Sequence, residues 1–448
     1  MERQKLKVDI TQGIIWKQLL LFAMPLLVSN ILQQLYNTVD SAIVGKFISA
    51  DALAAVGSTG SLTGMLVGLF MGIATGAGVI IAQHYGARNV EKLQDAVHTA
   101  MALSVISGVI LMVLGVMATP TILRIMKSPA NVIDMSIEYL WVYFVGILPG
   151  MVYNVGSGVL RAVGDSKRPL YYLFIGCIIN IFLDLVFINV FHWGVAGAAW
   201  ATNIAQTVSA VLVMMNLMRS TDVYKVHLRK IRMHIPMLKN IVRIGIPAGC
   251  QAVVISLSNV IIQSRINLFG SNAMAAASAM SKIDGFLYML INAFGLAITT
   301  FVGQNIGAGK YDRVRQSVKT CMIMVIGSAT VLSLILTLNG KLLFSIFTDS
   351  EDVMFYAFKM MYLILPLYSL LSFAEVLSGA VRGMGRSIVP MIISLVGMCV
   401  VRVIWIATVP NMWNDIAAVY LCYPVTWTLT GTAYVIYYLK ISKKLEKL

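Results

Sequence analysis

Residues 60–82 read Gly60-Ser-Leu-Thr-Gly64-Met-Leu-Val-Gly68-Leu-Phe-Met-Gly72-Ile-Ala-Thr-Gly76-Ala-Gly-Val-Ile-Ile-Ala82, and they decide the fold class. No charged side chain occurs from Ala52 to Ala82. About 20 apolar residues suffice for a helix to cross a hydrocarbon core roughly 30 Å thick. Comparable stretches recur to the end of the chain, and the spacing predicts helices near 17–40, 52–82, 95–119, 135–158, 169–191, 195–217, 244–267, 273–303, 320–339, 352–379, 387–409 and 415–439. Of the 448 residues, 58% are hydrophobic and 12% charged, with a mean hydropathy of +0.82. Soluble domains carry about 25% charged residues. With no water to satisfy its backbone, a chain in lipid must form helices or a closed barrel, and apolar runs of this length select helices. The expected fold is all-α and integral to the membrane.

A net charge of +15 could point to nucleic acid, but its distribution excludes that reading. With the N-terminus inside, 26 of the 34 Lys and Arg fall in or beside segments on one side of the bilayer. Four fall on the other (Lys46, Arg124, Lys127, Lys341), and four inside expected helices (Arg265, Lys282, Lys359, Arg402). This is the positive-inside asymmetry of a twelve-span, multi-pass protein with both termini cytoplasmic. The charged stretch Met1–Lys17 and the lack of a small-residue cleavage site after the first apolar segment argue against a cleaved signal peptide. The five cysteines are scattered among the expected spans, without paired spacing.

Offset by 221 residues, the chain matches itself. Gln83, Gly86 and Ala87 face Gln304, Gly307 and Ala308; Ser157, Gly158, Arg161, Gly164, Ser166 and Pro169 face Ser378, Gly379, Arg382, Gly385, Ser387 and Pro390. Pro25 and Pro247 match after one residue of slip. The expected organisation is an N-terminal six-helix lobe (1–218), a basic cytoplasmic linker (219–243) and a C-terminal six-helix lobe (244–448). Even-numbered repeats share an orientation, which implies a pseudo-two-fold axis along the membrane normal. Glycines at 60, 64, 68, 72 and 76 put small residues on one helical face, where they are expected to let neighbouring backbones approach.

Function is sought where the copies diverge. Asn30, Gln33, Gln34, Asn37, Asp40 and Ser41 fall within an arc of roughly 120° on the first helix, and the second copy mostly breaks that stripe. Asn180 and Asp184 share a face one turn apart; their counterparts are Val401 and Trp405. An acid near the bilayer centre costs about 2.5–3.5 kcal/mol to insert, which makes it a functional candidate. Carboxylates with amide and hydroxyl oxygens form a hard-oxygen site that suits a proton or an alkali cation. The second copy has its own set, Arg265, Lys282, Asp284, Lys359, Glu375 and Arg402, readable either as pairing across helices (Glu375 with an arginine) or as a second ion or substrate site at Glu375, Arg265 and Asp284. No His-Glu-x-x-His occurs, and each Gly-Lys pair is followed by Phe, Tyr or Leu, so no phosphate-binding loop is present. No enzymatic activity and no cofactor are expected, and pumping would need an ion gradient.

Ala23-Met24-Pro25, Asn30, Tyr36, Asp40-Ser-Ala-Ile-Val44-Gly45, Ala52-Leu53-Ala54-Ala55, Gly303-Gln304 with Gly307-Ala308, and Leu160-Arg161 with Gly164-Asp165-Ser166 together resemble the multidrug and toxic compound extrusion (MATE) family, in its prokaryotic DinF-like branch. The resemblance spans nearly the whole chain. It implies an antiporter of the inner (plasma) membrane that exports organic, often cationic compounds in exchange for protons or sodium. It further implies a coupling site at Asp40, Asn180, Asp184 and Thr202 with Tyr139 nearby, the sodium ligands being the first four, and no other metal. Gln34, Asn37 and Asn154 then line the drug cavity, and Pro25 is the bend in helix one. The expected partners are small organic substrates and the bilayer, with no nucleic acid, and the protein is expected to be monomeric. The NorM-like branch has a helix-seven glutamate where this chain reads Ile255-Ser256, so a second-lobe cation site like theirs is not implied. Two readings compete: a lipid-linked precursor flippase of related fold, which would need a cationic cavity, and a non-transporting membrane protein, which vesicle transport assays would single out.

Overall fold

The computed structural model describes residues 10–125, 129–413 and 415–445; Arg3, Lys5, Lys7, Lys127 and Lys447, counted above in the charge asymmetry, lie outside them. Among the described residues all regular structure is helical. Twelve spans follow in order. The first six are α1 Ile15–Phe47, α2 Ala50–Gly86, α3 Val90–Ile125, α4 Ala130–Val145 continued by Ile147–Ala162, α5 Lys167–Leu185 with a π-helical turn Val186–Val190, and α6 Gly194–Arg219. The second six are α7 Ile235–Asn267, α8 Ser271–Gly307, α9 Tyr311–Leu338, α10 Glu351–Ile364 continued by Ser369–Gly383, α11 from Ile388–Ser394 through the π-helical Leu395–Val400 to Val401–Met412, and α12 Cys422–Leu445.

Several helices outrun the apolar stretches that announce them. α1 runs seven residues beyond position 40, and α7 begins nine residues before 244, so residues 235–243 of the basic segment are helical. Hydropathy marks only the part of a helix in hydrocarbon. α2 and α8, with 37 residues each, are about 55 Å long at 1.5 Å per residue and exceed any bilayer core.

α4 and α10 bend by 51° and 50° at their breaks, for the same reason. Pro149 and Pro366 lack the N–H that would close the ladder there. A side chain from a neighbour adds a second hydrogen bond to a carbonyl at each bend: Asn203 Nδ2 on α6 donates to Val142 O at 2.6 Å, which also accepts from Gly146 N, and Ser333 Oγ on α9 donates to Leu365 O, which also accepts from Tyr368 N. Gly146 makes room for Asn203, since a Cβ at that glycine would lie 2.0 Å from the amide carbon.

The chain divides into two compact units within α1 and α7, each division two residues after the proline. One unit contains Val28–Gly249; the other contains the chain from Cys250 onward together with residues 10–27. In the first unit, the start of α7 packs directly on α2. A Cβ at Gly72 would fall 2.3 Å from Gly249 N, and one at Gly76 would fall 2.4 Å from Ile241 O. Gly60, Gly64 and Gly68 have nothing within 4 Å of such a Cβ, so the close-packing expected of all five glycines holds for two. Before α7 the chain lies along α3: His227 N donates to His98 Nε2 and His234 N to Thr99 Oγ1, both at 3.1 Å, and Tyr224 is fully buried. The second unit holds the chain before α1 in the corresponding way. Arg313 donates to the carbonyls of Ile10 (3.1 Å), Gln12 (2.8 Å) and Gly13 (2.9 Å), Lys310 donates to Thr11 O (2.7 Å), and Phe22 meets Phe301 edge-on.

Candidate functional site

The first unit contains a cavity of about 510 Å³. Gln33, Tyr36, Asn37, Asp40 and Ser41 reach it from α1, Thr59 and Thr63 from α2, Tyr139, Tyr143 and Asn154 from α4, and Thr202, Asn203 and Gln206 from α6. Gly57, Gly60 and Gly64 form part of its wall, which accounts for the open space above them. Glycine here leaves room for what enters the cavity.

Asp40 belongs to this lining, and only 7% of its surface is exposed. Behind it, Asn180 and Asp184 on α5 are fully buried. Asp40 and Asp184 come within hydrogen-bonding reach of each other. Tyr36 Oη donates to Thr202 Oγ1 at 3.0 Å, and Asn180 Nδ2 reaches the same oxygen at 3.5 Å. Tyr139 is buried within electrostatic reach of both acids and stacks on Tyr143 at 6.3 Å. Among the described residues no donor reaches Asp40 Oδ1, Asn180 Oδ1 or either oxygen of Asp184. Four oxygens without a donor, two of them on one carboxylate, present acceptors and no cation. That set fits a proton or a hard cation, and it is unsuited to an anion.

Five residues expected together, Asp40, Asn180, Asp184, Thr202 and Tyr139, thus converge from four helices. Asn37 and Asn154 line the cavity. Gln34 does not, and Gln33 stands there instead. Counting about 100° per residue, Gln33 lies near the middle of the face formed by Asn37 and Asp40, whereas Gln34 lies at its edge. Pro25 lies within an unbroken helix.

In the second unit, Asp284 and Glu375 both lie within electrostatic reach of Tyr368. Arg265 Nη2 donates to Asn411 Oδ1. Asp284 neighbours Tyr368, Tyr420 and Tyr423. Glu375 lies near Tyr288 and near Arg382 two turns along its own helix. Lys359 pairs with Asp415 at 2.5 Å. Of the site residues to which the sequence gave no role, Tyr36 had the plainest signal, as part of the family-like motif one turn before Asp40. Tyr143, Asn203 and Gln206 gave none, because isolated polar residues on mostly apolar helices are common.

The MatE family profile matches residues 25–186 and 247–408, one stretch in each sequence repeat. Among curated proteins, the chain is similar to the probable multidrug resistance protein YoeA of Bacillus subtilis (strain 168), with 30% identity over 96% of this chain and 95% of that one. It is also similar to the probable multidrug resistance protein NorM of Thermotoga maritima, at 25% identity over 88% and 84% of the two chains. Among solved structures, a MATE protein in the bent conformation superposes with a TM-score of 0.92 at 22% identity, covering 98% of each chain. An outward-facing multidrug resistance MATE transporter of the MOP superfamily does so with a TM-score of 0.92 at 22% identity, covering 99% of each. The doubled helical scaffold, the profile match in both halves and the relatives covering nearly its full length agree: the chain belongs to the MatE family of membrane transporters.

Proposed function

We propose that this protein is a secondary antiporter that exports organic, often cationic compounds across the plasma membrane in exchange for protons or sodium. The observation that carries this reading is the pair of buried acids, Asp40 in the cavity wall and Asp184 behind it: among the described residues no donor reaches Asp40 Oδ1 or either oxygen of Asp184. Two carboxylates so close in a low-dielectric surrounding disfavour double ionisation, so the pair takes up one proton or binds one cation. Asp40, Asn180, Asp184 and Thr202 hold the coupling ion, with Tyr139 beside them. Asn37 and Asn154 contact substrate in the cavity, and Gln33 takes the place first given to Gln34.

Asp40 lies both in the cavity wall and in the acid pair. A cationic substrate and the coupling ion therefore compete for the same negative charge, and this is a physical basis for exchange. Pro25, where a backbone hydrogen bond is missing, lets α1 bend as that charge changes. The relatives named above as multidrug resistance proteins support the substrate class. In this reading no cofactor takes part, the protein acts as a monomer, and both termini are cytoplasmic. The test is efflux of a cationic dye from everted vesicles, driven separately by a proton gradient and by a sodium gradient. Uphill movement with either one supports antiport; movement with neither rejects it.

A further inference from the structure

Arg402 sits near the middle of α11, fourteen residues after Ile388 and ten before Met412, with 3% of its surface exposed. A guanidinium at that depth ordinarily faces a carboxylate, because an isolated charge away from water is strongly disfavoured. Here no carboxylate among the described residues lies within salt-bridge distance. Its Nε donates to Thr426 Oγ1 at 3.3 Å, and its Nη1 donates to Ser258 Oγ at 3.3 Å and to Asn259 Oδ1 at 3.0 Å. The ring of Tyr423 lies 4.9 Å from the guanidinium carbon. Among the described residues nothing accepts from Nη2. Every accepting group is neutral, so the charge is held in place without being balanced. Asp284, the acid that shares Tyr423 as a neighbour, makes no salt bridge to Arg402.

The sequence repeat shows what kind of place this is. Pro25 and Pro247 set the local register of α1 and α7 at 222 residues, and in that register Asn259 occupies the position of Asn37, which lines the first-unit cavity. Asn259 is exposed, so Arg402 stands directly behind an open amide. At offset 221, Tyr423 takes the position of Thr202. The positions that surround an acid pair in the first unit surround a lone cation in the second. We infer that Arg402, with Asn259 and Thr426, forms an anion-binding subsite in the second unit that takes the carboxylate of an amphiphilic monocarboxylic acid. A single carboxylate fits because one positive charge and the two N–H bonds of Nη2 are what remain. A doubly charged phosphate monoester would need more donors than Nη2 has left. The half-buried ring of Tyr423 offers aromatic surface beside the charge for the apolar body of such a ligand.

The experiment measures binding, so it stands or fails independently of antiport. Purified protein in phosphatidylcholine nanodiscs is titrated with pyrenebutyrate and, separately, with its uncharged methyl ester. The wild type is expected to bind the acid at least about tenfold more tightly than the ester, the factor that about 1.4 kcal/mol produces. Arg402→Gln should lower affinity for the acid to that for the ester, and Arg402→Lys should keep part of the difference. Equal affinity of the wild type for acid and ester overturns the inference, and this holds even if Arg402→Gln fails to fold. Equal weakening of both ligands in folded Arg402→Gln protein also overturns it, since the arginine would then only brace α11 against α7. Repeating the titration with phosphatidylglycerol separates lipid from solute: if that lipid is retained through purification while the acid–ester difference is missing without it, the site holds a headgroup and the inference fails.

Discussion

Asp184 and Glu375 are both acids in apolar helices, the first fully buried and the second half-buried, and their surroundings differ. Asp184 has no cation beside it, faces Asp40, and no donor among the described residues reaches its oxygens. Glu375 lies near Arg382 on the same helix, where a balanced charge suits a structural role. Asp184→Asn is therefore expected to abolish gradient-driven efflux while the protein still folds, and Glu375→Gln to retain most of it; dye efflux from everted vesicles with matched expression measures both. Equal loss in the two would place part of the coupling in the second unit. Asp40→Asn makes one member of the pair permanently neutral, so it should still fold and bind substrate yet fail to drive efflux uphill. Asp40 and Asp184 were legible in the sequence because a carboxylate in an apolar helix is conspicuous against its insertion cost of about 2.5–3.5 kcal/mol. The 100° count sets Gln33 between Asn37 and Asp40 and Gln34 at the edge of the arc, but it does not say which part of the arc faces the cavity, because neighbouring helices set that rotation. The contrast between Arg402 and Lys359 was equally hidden. Both appeared as charges within spans, but Lys359 finds Asp415 across a loop and Arg402 finds only neutral acceptors.

The glycines of α2 show how one motif divides between two tasks along a single helix. A stripe at every fourth residue predicts one packed face, and only the other helix decides where that face ends. α7 crosses at Gly72 and Gly76, where its own Gly245 and Gly249 bring backbone against backbone. Toward Gly60 and Gly64 the same stripe looks into the cavity. The same substitution should thus have opposite effects. Gly72→Ala puts a methyl group within 2.3–2.5 Å of the backbone of Gly245 and Gly249, and we expect destabilisation beyond the roughly 1–3 kcal/mol of ordinary overpacking. Gly60→Ala meets nothing within 4 Å and removes glycine's helix penalty of about 1 kcal/mol, so stability should hold or rise. Thermal unfolding of the two variants in one detergent reads the difference, and a matching fall in both would mean that α2 packs along its whole length. Gly60→Ala also narrows the cavity, so any change in its substrate range would come without a loss of fold. The bends of α4 and α10 were not legible. Pro149 and Pro366 were visible, but a proline in a membrane helix can be absorbed without a kink, and the fillers Asn203 and Ser333 come from other helices.

At the scale of the whole molecule, the doubled plan was legible in the repeat, because a repeat is a property of position along the chain, and the charges set an expected orientation. The division of α1 and α7 between units was not legible, since no local signal says which neighbour half a helix will choose. Orientation gives the last prediction. Seven Lys and Arg lie in residues 219–243, and each resists transfer outward against an inside-negative potential by about 2.3 kcal/mol per 100 mV. The segment should therefore face the cytoplasm. The segment lies along α3 through His98 and Thr99, the helix whose first turn holds Lys92 just after Arg88. The choice of reporter follows from burial. Tyr224 is fully buried and would resist labelling from either side, whereas Leu228 is 60% exposed. All five native cysteines (177, 250, 321, 399 and 422) are first removed, and Leu228→Cys is introduced. An impermeant maleimide should leave this residue unmodified in intact cells and modify it in everted vesicles. Lys341 follows α9 on the opposite side, and Leu342 beside it is 67% exposed, so Leu342→Cys should give the reverse pattern. Labelling of Leu228→Cys from outside would invert the topology, and with it the direction in which this protein moves its substrate.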